Sequence, residues 1–433
     1  MSLIARGILQ KVNGLVVHPR RLSRRPLVAI LLPEPHLETG GNATLVDFLI
    51  AASQRYRVQV FFVRYSKNKS DKNILQAQIR RRAAARVRVN WLCRSLDSNL
   101  AKGVSWGAIA RGEVRWTTVR FLFDPRRFTA RQSLRKTNLL LTSQYVTPDG
   151  VRFFHTVSGG KLVLNLAGNP EALRENFRRP QGNDSYARTA EEYSNYLRTI
   201  DHFLLQTHQH REILVDLEPW AESKSTVIKP SVYPDNLAIE SCGSGVPCPL
   251  FESGRKVILN VGKLGLKGQD LALAAFAKIA SLNPTWDLHF VGGLSSRPSF
   301  VADLMRQAAQ LGLEDRTYFW GHRNDLGHFL RCADILLLSS EYEGAPRVVR
   351  EAMFVGLPIV TVPIAGVTEM VNEQSAFIAT SRNRESLQEA LTEAVSDFSL
   401  RRSKAASAKR DFNVSMSPEV YNENVLAFID KIL

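Results

Sequence analysis

The chain has 433 residues, of which 44% are hydrophobic and 23% charged, and it carries a formal net charge of +16. That length exceeds what one compact core serves and points to two domains, while the ordinary globular composition excludes disordered and fibrous classes. No run of about 18 apolar residues reads as a membrane-spanning helix. The four scattered cysteines (Cys93, Cys242, Cys248, Cys332) do not make a disulfide framework, and a reducing cytoplasm fits them. Cys242 and Cys248 lack a second Cys/His pair nearby to complete a zinc site, so no metal is expected.

From the amino terminus, the first 33 residues contain no acid and six basic residues, Arg6, Lys11, Arg20, Arg21, Arg24 and Arg25. Ile4, Ile8, Leu9, Val12, Leu15 and Val16 fall near helical spacing, which suits a helix on a membrane surface, an organelle transit peptide or a plain helical extension. Short apolar runs follow: "PLVAILL" from 26, "VQVFFV" from 58, "LLLT" from 139, "LVLNL" from 162, "HFLLQ" from 202 and "TVIK" from 226. Between the second and third lies the charge: residues 64 to 136 hold 19 Lys/Arg against four acids, hence +15. Arg80, Arg81, Arg82, Arg86 and Arg88 are interleaved there with Trp91, Trp106, Trp116, Phe121 and Phe123. Such a mixture suits an anionic membrane surface, a nucleic-acid backbone or a solvated basic face.

After a Pro/Gly/Ser/Cys-rich stretch, a second series of runs begins: "KVILNV" from 256, "WDLHFV" from 286, "YFW" from 318, "DILLLS" from 334, "PIVTV" from 358 and "AFIA" from 376. Helical patterns over 268–282, 299–311, 324–332 and 346–355 separate them, and a helix starting at Ser417-Pro418-Glu419 carries an apolar stripe of Tyr421, Val425, Phe428, Ile429 and Ile432. Alternating strands and helices predict an α/β protein with two Rossmann-like, doubly wound domains. The expected organisation is a basic extension over 1–25, an acceptor-binding domain over 26–230, a linker over 231–254, a donor-binding domain over 255–414 and a terminal helix over 415–433 that packs back on the first domain.

The segment "SSEYEGAPRVVREAMFVGLPIVTVPIAGVTEMV", residues 339 to 371, follows the strand "DILLL". Ligands in open parallel sheets sit outside the carboxyl ends of strands, which is where Glu343, Gly344 and Ala345 fall. Pro346 suits a first helical position, leaving the N–H groups of Arg347 to Val349 unpaired at the positive end of a helix dipole, a place for phosphate. Gly356 and Pro358 end that helix. Glu351, over a turn in, can accept from the two hydroxyls of a ribose, and Glu343 can reach a sugar hydroxyl. In "VGKLGLKGQDLALAAF", residues 261 to 276, Gly262 permits close approach of the backbone, and Lys263 and Lys267 on the turn can neutralise a diphosphate leaving group.

These pieces, with "LHFVGG" and "YFWGH", resemble the retaining glycosyltransferases of the family-4 type, which have the two-domain GT-B architecture. The resemblance is dense from about 226 to 380. It implies that Glu343 contacts the donor sugar, Glu351 the ribose, and Lys263 with Lys267 the diphosphate, in a metal-independent reaction without a cofactor that keeps the anomeric configuration. The family usually has Arg at the position of Lys263, and the spacing to the second Lys is one residue shorter here. Ala365-Gly366 replaces a frequent double glycine. In the first half, "ETGGNATLVDFL" looks like the family's Gly loop, so Gly40 and Gly41 are expected near the diphosphate. Ala167 stands where the family often has His, and His155 is a nearby substitute.

The expected function is transfer of a hexose from a nucleotide-sugar donor to a glycan or lipid-linked acceptor in cell-surface polysaccharide or glycoconjugate synthesis. The expected location is cytoplasmic and peripheral on a membrane, held by the basic segment, with nucleic acid the less favoured partner. Two rivals are an epimerase on the same scaffold, which needs no acceptor, and a non-catalytic nucleic-acid-binding protein.

Overall fold

In the computed structural model the chain is described over residues 25–32, 40–62, 88–91, 135–143, 155, 158–178, 189–233, 237, 254–265, 267–293, 298–323 and 325–433. The amino-terminal basic stretch before residue 25, and all of the 64–136 segment except 88–91 and 135–136, lie outside the described residues. Two parallel-stranded sheets carry the fold. The first is built from β1 (Leu27–Leu32), β2 (Arg57–Phe62), β3 (Arg88–Trp91), β4 (Leu139–Ser143), β5 (Lys161–Leu166), β6 (His202–Leu205) and β7 (Ser225–Val227). Its seven strands run in the order β3-β2-β1-β4-β5-β6-β7. The β1–β2, β1–β4, β2–β3 and β6–β7 pairings are parallel. The associated helices are α1 (Gly40–Ala52), α2 (Pro170–Arg178), α3 (Ala190–Arg198) and α4 (His208–Leu217).

The second sheet comprises β8 (Lys256–Val261), β9 (Trp286–Val291), β10 (Thr317–Phe319), β11 (Ile335–Leu338), β12 (Ile359–Thr361) and β13 (Phe377–Ile378). Its order is β10-β9-β8-β11-β12-β13, parallel throughout. Helices α5 (Gln269–Leu282), α6 (Pro298–Gln310), α7 (Leu326–Cys332) and α8 (Arg347–Val355) alternate with its strands. Three more follow: α9 (Arg384–Ser396), α10 (Phe398–Ser415) and α11 (Pro418–Ile432).

Every apolar run singled out in the sequence forms a strand. They do so because a strand covered by helices on both faces is apolar at successive positions, not at alternate ones. In β8, neighbouring residues show the two faces: Ile258 belongs to the core cluster that holds Phe276, Phe290 and Leu273, while Leu259 belongs to the one that holds Phe329, Val349 and Met353. The strand over 88–91 was not anticipated. Its Arg-Val-Asn-Trp sequence sits inside the arginine cluster, where charge masks the pattern.

The chain forms two compact units. One gathers β1 to β4 with residues 429–433, and the other runs from 164 to 428 and includes 38–44. In the first, Asp430 near the end of α11 accepts hydrogen bonds from Arg55 and Tyr56. Burial and the neighbouring carboxylate push the Tyr56 hydroxyl pKa up to about 12. In the second, Tyr233 donates to the Asn422 side chain at 2.6 Å, and Phe428 of the same helix packs on His202 at 5.4 Å between ring centroids. Cys332 is disulfide-bonded, which the reading of four scattered thiols did not foresee. Among the described residues no helix is long and apolar enough to cross a membrane.

Candidate functional site

The strand order of the second sheet reverses between β8 and β11, because the chain proceeds from β8 outward to β9 and β10 and then returns to add β11 on the other side. A crevice opens at such a switch point, outside the carboxyl ends of the two central strands. Lys263 and Lys267 lie on the turn after β8, and Glu343, Gly344 and Ala345 on the loop after β11. Topology therefore brings together two segments about 80 residues apart in sequence.

The pairing is direct: Lys267 Nζ lies 2.7 Å from Glu343 Oε1. The same oxygen accepts from Ser340 Oγ at 2.7 Å. Glu343 is 10% exposed and Lys267 28%, so the pair is screened from bulk water on one side and open on another. Lys263 is exposed on the same turn. That turn is held from within by Gln269, whose side-chain Oε1 accepts from the Gly265 and Lys267 amides at 3.1 and 3.2 Å. The Gln269 Nε2 donates to the Lys263 carbonyl at 3.3 Å. Below the turn, Ser339 Oγ donates to the Gly268 carbonyl at 2.7 Å, and Asn260 Nδ2 donates to the Leu337 carbonyl at 2.9 Å. Gly262 has φ +153, and a Cβ there would meet the Lys267 side chain at 2.6 Å. A side chain at Gly262 would thus displace the lysine.

Helix α8 starts one residue later than the sequence implied. Pro346, at φ −61 and ψ 122, takes the capping position and provides no side-chain hydrogen bond, so helical geometry begins at Arg347. The consequence for the amides of Arg347, Val348 and Val349 is unchanged, since proline has no group to satisfy them. Gly356 closes the helix in the left-handed conformation, φ 80, as its sequence predicts. Glu351 is buried, 4% exposed, and accepts from Arg347 Nε at 2.7 Å one turn earlier. Arg347 thus orients the carboxylate through its side chain as well as offering a backbone amide.

A second helix start gives a contrast. The first-turn amides of α4 are taken by protein: Glu369 accepts from His208 N at 2.8 Å and Gln209 N at 2.5 Å, and Thr207 Oγ1 accepts from His210 N at 3.2 Å. An anion has no vacancy there.

Backbones meet closely around the Glu343 loop. A Cβ on Gly344 would overlap the carbonyl oxygen of Ala167, and one on Gly366 would overlap the carbonyl oxygen of Gly344. Ala167, where a histidine was expected by resemblance, therefore supports the loop through its main chain. His155 is exposed. Gly40 and Gly41 are the first two residues of α1, which follows β1. Ser339, Ser340, Gln269 and Gln209 were missed in the sequence. Only the Ser-Ser pair after "DILLL" gave a signal, as small hydroxyl residues at a strand's carboxyl end. Among the described residues no group of three His, Cys, Asp or Glu side chains is placed to hold a metal.

Two parallel, doubly wound sheets define the class: the fold is that of the GT-B glycosyltransferases, and solved structures agree. HepE of Anabaena, in complex with UDP and glucose, superposes with a TM-score of 0.69 at 17% identity, covering 94% of this chain and 100% of that one. WaaG, a glycosyltransferase involved in lipopolysaccharide biosynthesis, gives 0.63 at 16% identity, covering 92% and 98%. Residues 249–411, which contain the second sheet and its site loops, match the family glycosyl transferases group 1. In sequence, the lipopolysaccharide glucosyltransferase WaaG of Escherichia coli K12 is 28% identical over 190 residues, 42% of this chain and 50% of WaaG. An uncharacterized glycosyltransferase of Haemophilus influenzae is 34% identical over 135 residues, 30% of this chain and 37% of its own. The chain thus spans half or less of these curated relatives.

Proposed function

We propose that this protein is a retaining glycosyltransferase that moves a hexose from a nucleoside diphosphate sugar to a glycan or lipid-linked acceptor in the synthesis of a cell-surface polysaccharide or glycoconjugate. The observation that carries the reading is the Lys267–Glu343 pair at the switch point, 2.7 Å apart and beside a helix start that lacks a side-chain cap. The glucosyltransferase named among the relatives and the UDP and glucose of the HepE structure favour a uridine diphosphate hexose as donor.

In this reading the ammonium groups of Lys263 and Lys267 and the amides of Arg347 to Val349 neutralise the diphosphate as the bond from the anomeric carbon to its oxygen breaks. Glu343 holds a hydroxyl of the sugar, and Glu351, with Arg347, holds the ribose. The acceptor hydroxyl attacks from the face the diphosphate leaves, and its proton passes to the departing phosphate oxygen, so configuration is retained. Gly262, Gly344, Ala345 and Pro346 keep the walls narrow, and Gly40 with Gly41 lines the diphosphate from the first sheet. The positive groups take the place of a metal ion, so a chelator leaves the rate unchanged.

The basic, aromatic-rich segment over 64–136 and the amino-terminal stretch rest on the cytoplasmic face of an anionic membrane, where a lipid-linked acceptor would be presented. Failure to float with anionic vesicles would remove that part. The principal test is thermal stabilisation by UDP, GDP and ADP and their sugar conjugates. Stabilisation by one nucleotide, lost in both Glu351→Ala and Lys267→Ala, supports the site; no response to any of them overturns it.

A further inference from the structure

Gln209 lies 157 positions from Gly366 in the chain, yet its side-chain oxygen accepts from the Gly366 amide at 3.0 Å. Its Nε2 donates to Thr368 Oγ1 at 3.3 Å. The Gln209 main chain is itself anchored, since Glu369 accepts from the amides of His208 and Gln209 at 2.8 and 2.5 Å. Lys229 Nζ, two residues beyond β7, donates to the Glu369 carbonyl at 3.3 Å and ties the same turn. Val367, between the bonded residues, is fully buried in the core under α8. The turn over 366–369 is therefore fixed on two sides, by apolar burial and by Gln209.

What that turn touches is the Glu343 loop. Gly366 has φ +83, and its missing Cβ would overlap the Gly344 carbonyl oxygen and lie 3.3 Å from that of Glu343. On the other side, Gly344 abuts the Ala167 carbonyl. The peptide that carries Glu343 is thus sandwiched between two backbones, and in one of them the Gly366 amide that faces it is bonded by the Gln209 carboxamide. We propose that Gln209 is a positioning residue of the transferase site: it fixes Gly366 against the Glu343–Gly344 peptide and so sets Glu343 in register with Lys267.

The proposal rests on the transferase reading of that site, but its physical part stands apart from it. Displacing a group in an active site by about 1 Å can cost on the order of 10²-fold in rate. Gln209→Ala removes the acceptor of the Gly366 amide and leaves Lys267, Glu343 and Glu351 unaltered. Thr368→Val removes the longer, exposed bond from Gln209, together with the 3.5 Å bond from Thr368 Oγ1 to the Ile364 carbonyl, and keeps the Gly366 amide bonded, so it serves as the control.

The experiment measures three quantities on the full chain of wild type, Gln209→Ala and Thr368→Val. They are hydrogen exchange of the segments 339–346 and 362–371, affinity for UDP, and kcat with KM for UDP-glucose consumption. The expected result for Gln209→Ala is exchange faster by about tenfold in both segments with α5 unaffected, UDP affinity within about threefold of wild type, and kcat lower by about 10- to 100-fold. Thr368→Val stays within about twofold in all three. Unchanged exchange in 339–346 overturns the coupling. Faster exchange throughout the unit, with UDP affinity and kcat falling together, also overturns it by showing a general loss of stability. Faster local exchange with kcat within about twofold overturns the functional part alone. A wild type that neither binds UDP nor consumes UDP-glucose removes the transferase reading, while the exchange data still report whether Gln209 holds the loop.

Discussion

Two carboxylates of the second sheet, Asp287 and Glu343, are each gripped by cations, yet they sit at opposite ends of the strands and lead to opposite conclusions. Asp287, second residue of β9, is 3% exposed and takes both a bidentate contact from Arg255 and Arg316 Nε at 3.6 Å. Arg316 spends its remaining donors on the carbonyls of Ala280 and Asn283, at 2.8 and 2.9 Å, and of Trp286. That cluster is closed: both carboxylate oxygens of Asp287 are taken by arginine and Arg316 is bonded to three main-chain carbonyls, at the amino ends of strands where parallel sheets do not bind ligands. Glu343 meets one lysine and one serine hydroxyl, and among the described residues both bonds fall on Oε1. A ligand hydroxyl can take the other oxygen. A charged pair is informative about function only when its position in the sheet and its unspent hydrogen-bonding capacity are considered with it.

The largest expected effect breaks the closed cluster. Asp287→Ala leaves two arginines without their carboxylate and should cost roughly 3–5 kcal/mol of unfolding free energy in denaturant titration, with UDP affinity of the folded protein within about twofold. A variant that is stable but unable to bind nucleotide would reverse the assignment of the two ends. Next, Glu343→Gln and Lys267→Ala should each lower transfer by about 10²- to 10³-fold with melting temperature within a few degrees of wild type. Because they act as one pair, the double variant should lose far less than the product of the single effects; a fully multiplicative loss would argue that they work independently.

The third concerns pH and the neighbourhood of Asp287. His289 is buried, accepts from Trp320 Nε1 at 2.9 Å and stacks on Tyr318 at 4.5 Å. Burial chiefly pulls its pKa down to about 4, with Asp287 opposing and Arg255 reinforcing the shift. A folded state that prefers the neutral ring is at full advantage above the usual histidine value of about 6.5 and loses it as pH falls toward 4, for roughly 3 kcal/mol at most. Burial lowers His210 in the same sense. Denaturant titrations between pH 7 and 4.5 should show the decline, and His289→Gln should flatten it; an equal slope in that variant would place the titration elsewhere. The smallest effect is at Glu351→Gln, which keeps the shape of a buried side chain and removes its charge. Calorimetric UDP affinity should weaken by about tenfold, without the rate loss expected at Glu343.

Much of this was legible in the sequence, for identifiable reasons. Strands covered on both faces leave unbroken apolar runs, and Gly356 marks the end of α8 because the left-handed conformation at that residue suits glycine. The loops after β8 and β11 were readable because Lys, Gly and Glu types cluster locally there. What escaped is non-local or carried by the main chain. Gln209 reads as a surface helical residue until Gly366 is found beside it, and Ala167 offers no side-chain signal at all. Gln269 and Ser339 act by satisfying backbone groups, a role many polar residues fill. Pro346 was misplaced by one position because proline suits either side of a helix start.

The contact of Asp430 with Arg55 and Tyr56 bears on how the protein can be divided. The unit built on β1 to β4 is discontinuous, since it borrows residues 429–433 from beyond the other unit. Severing the chain anywhere between 164 and 428 therefore leaves the amino-terminal fragment without part of its own unit, with Tyr56 stripped of its carboxylate acceptor. Two such fragments are suited to split-protein complementation, the carboxyl-terminal piece bringing the missing strap, and poorly suited to separate expression as independent modules.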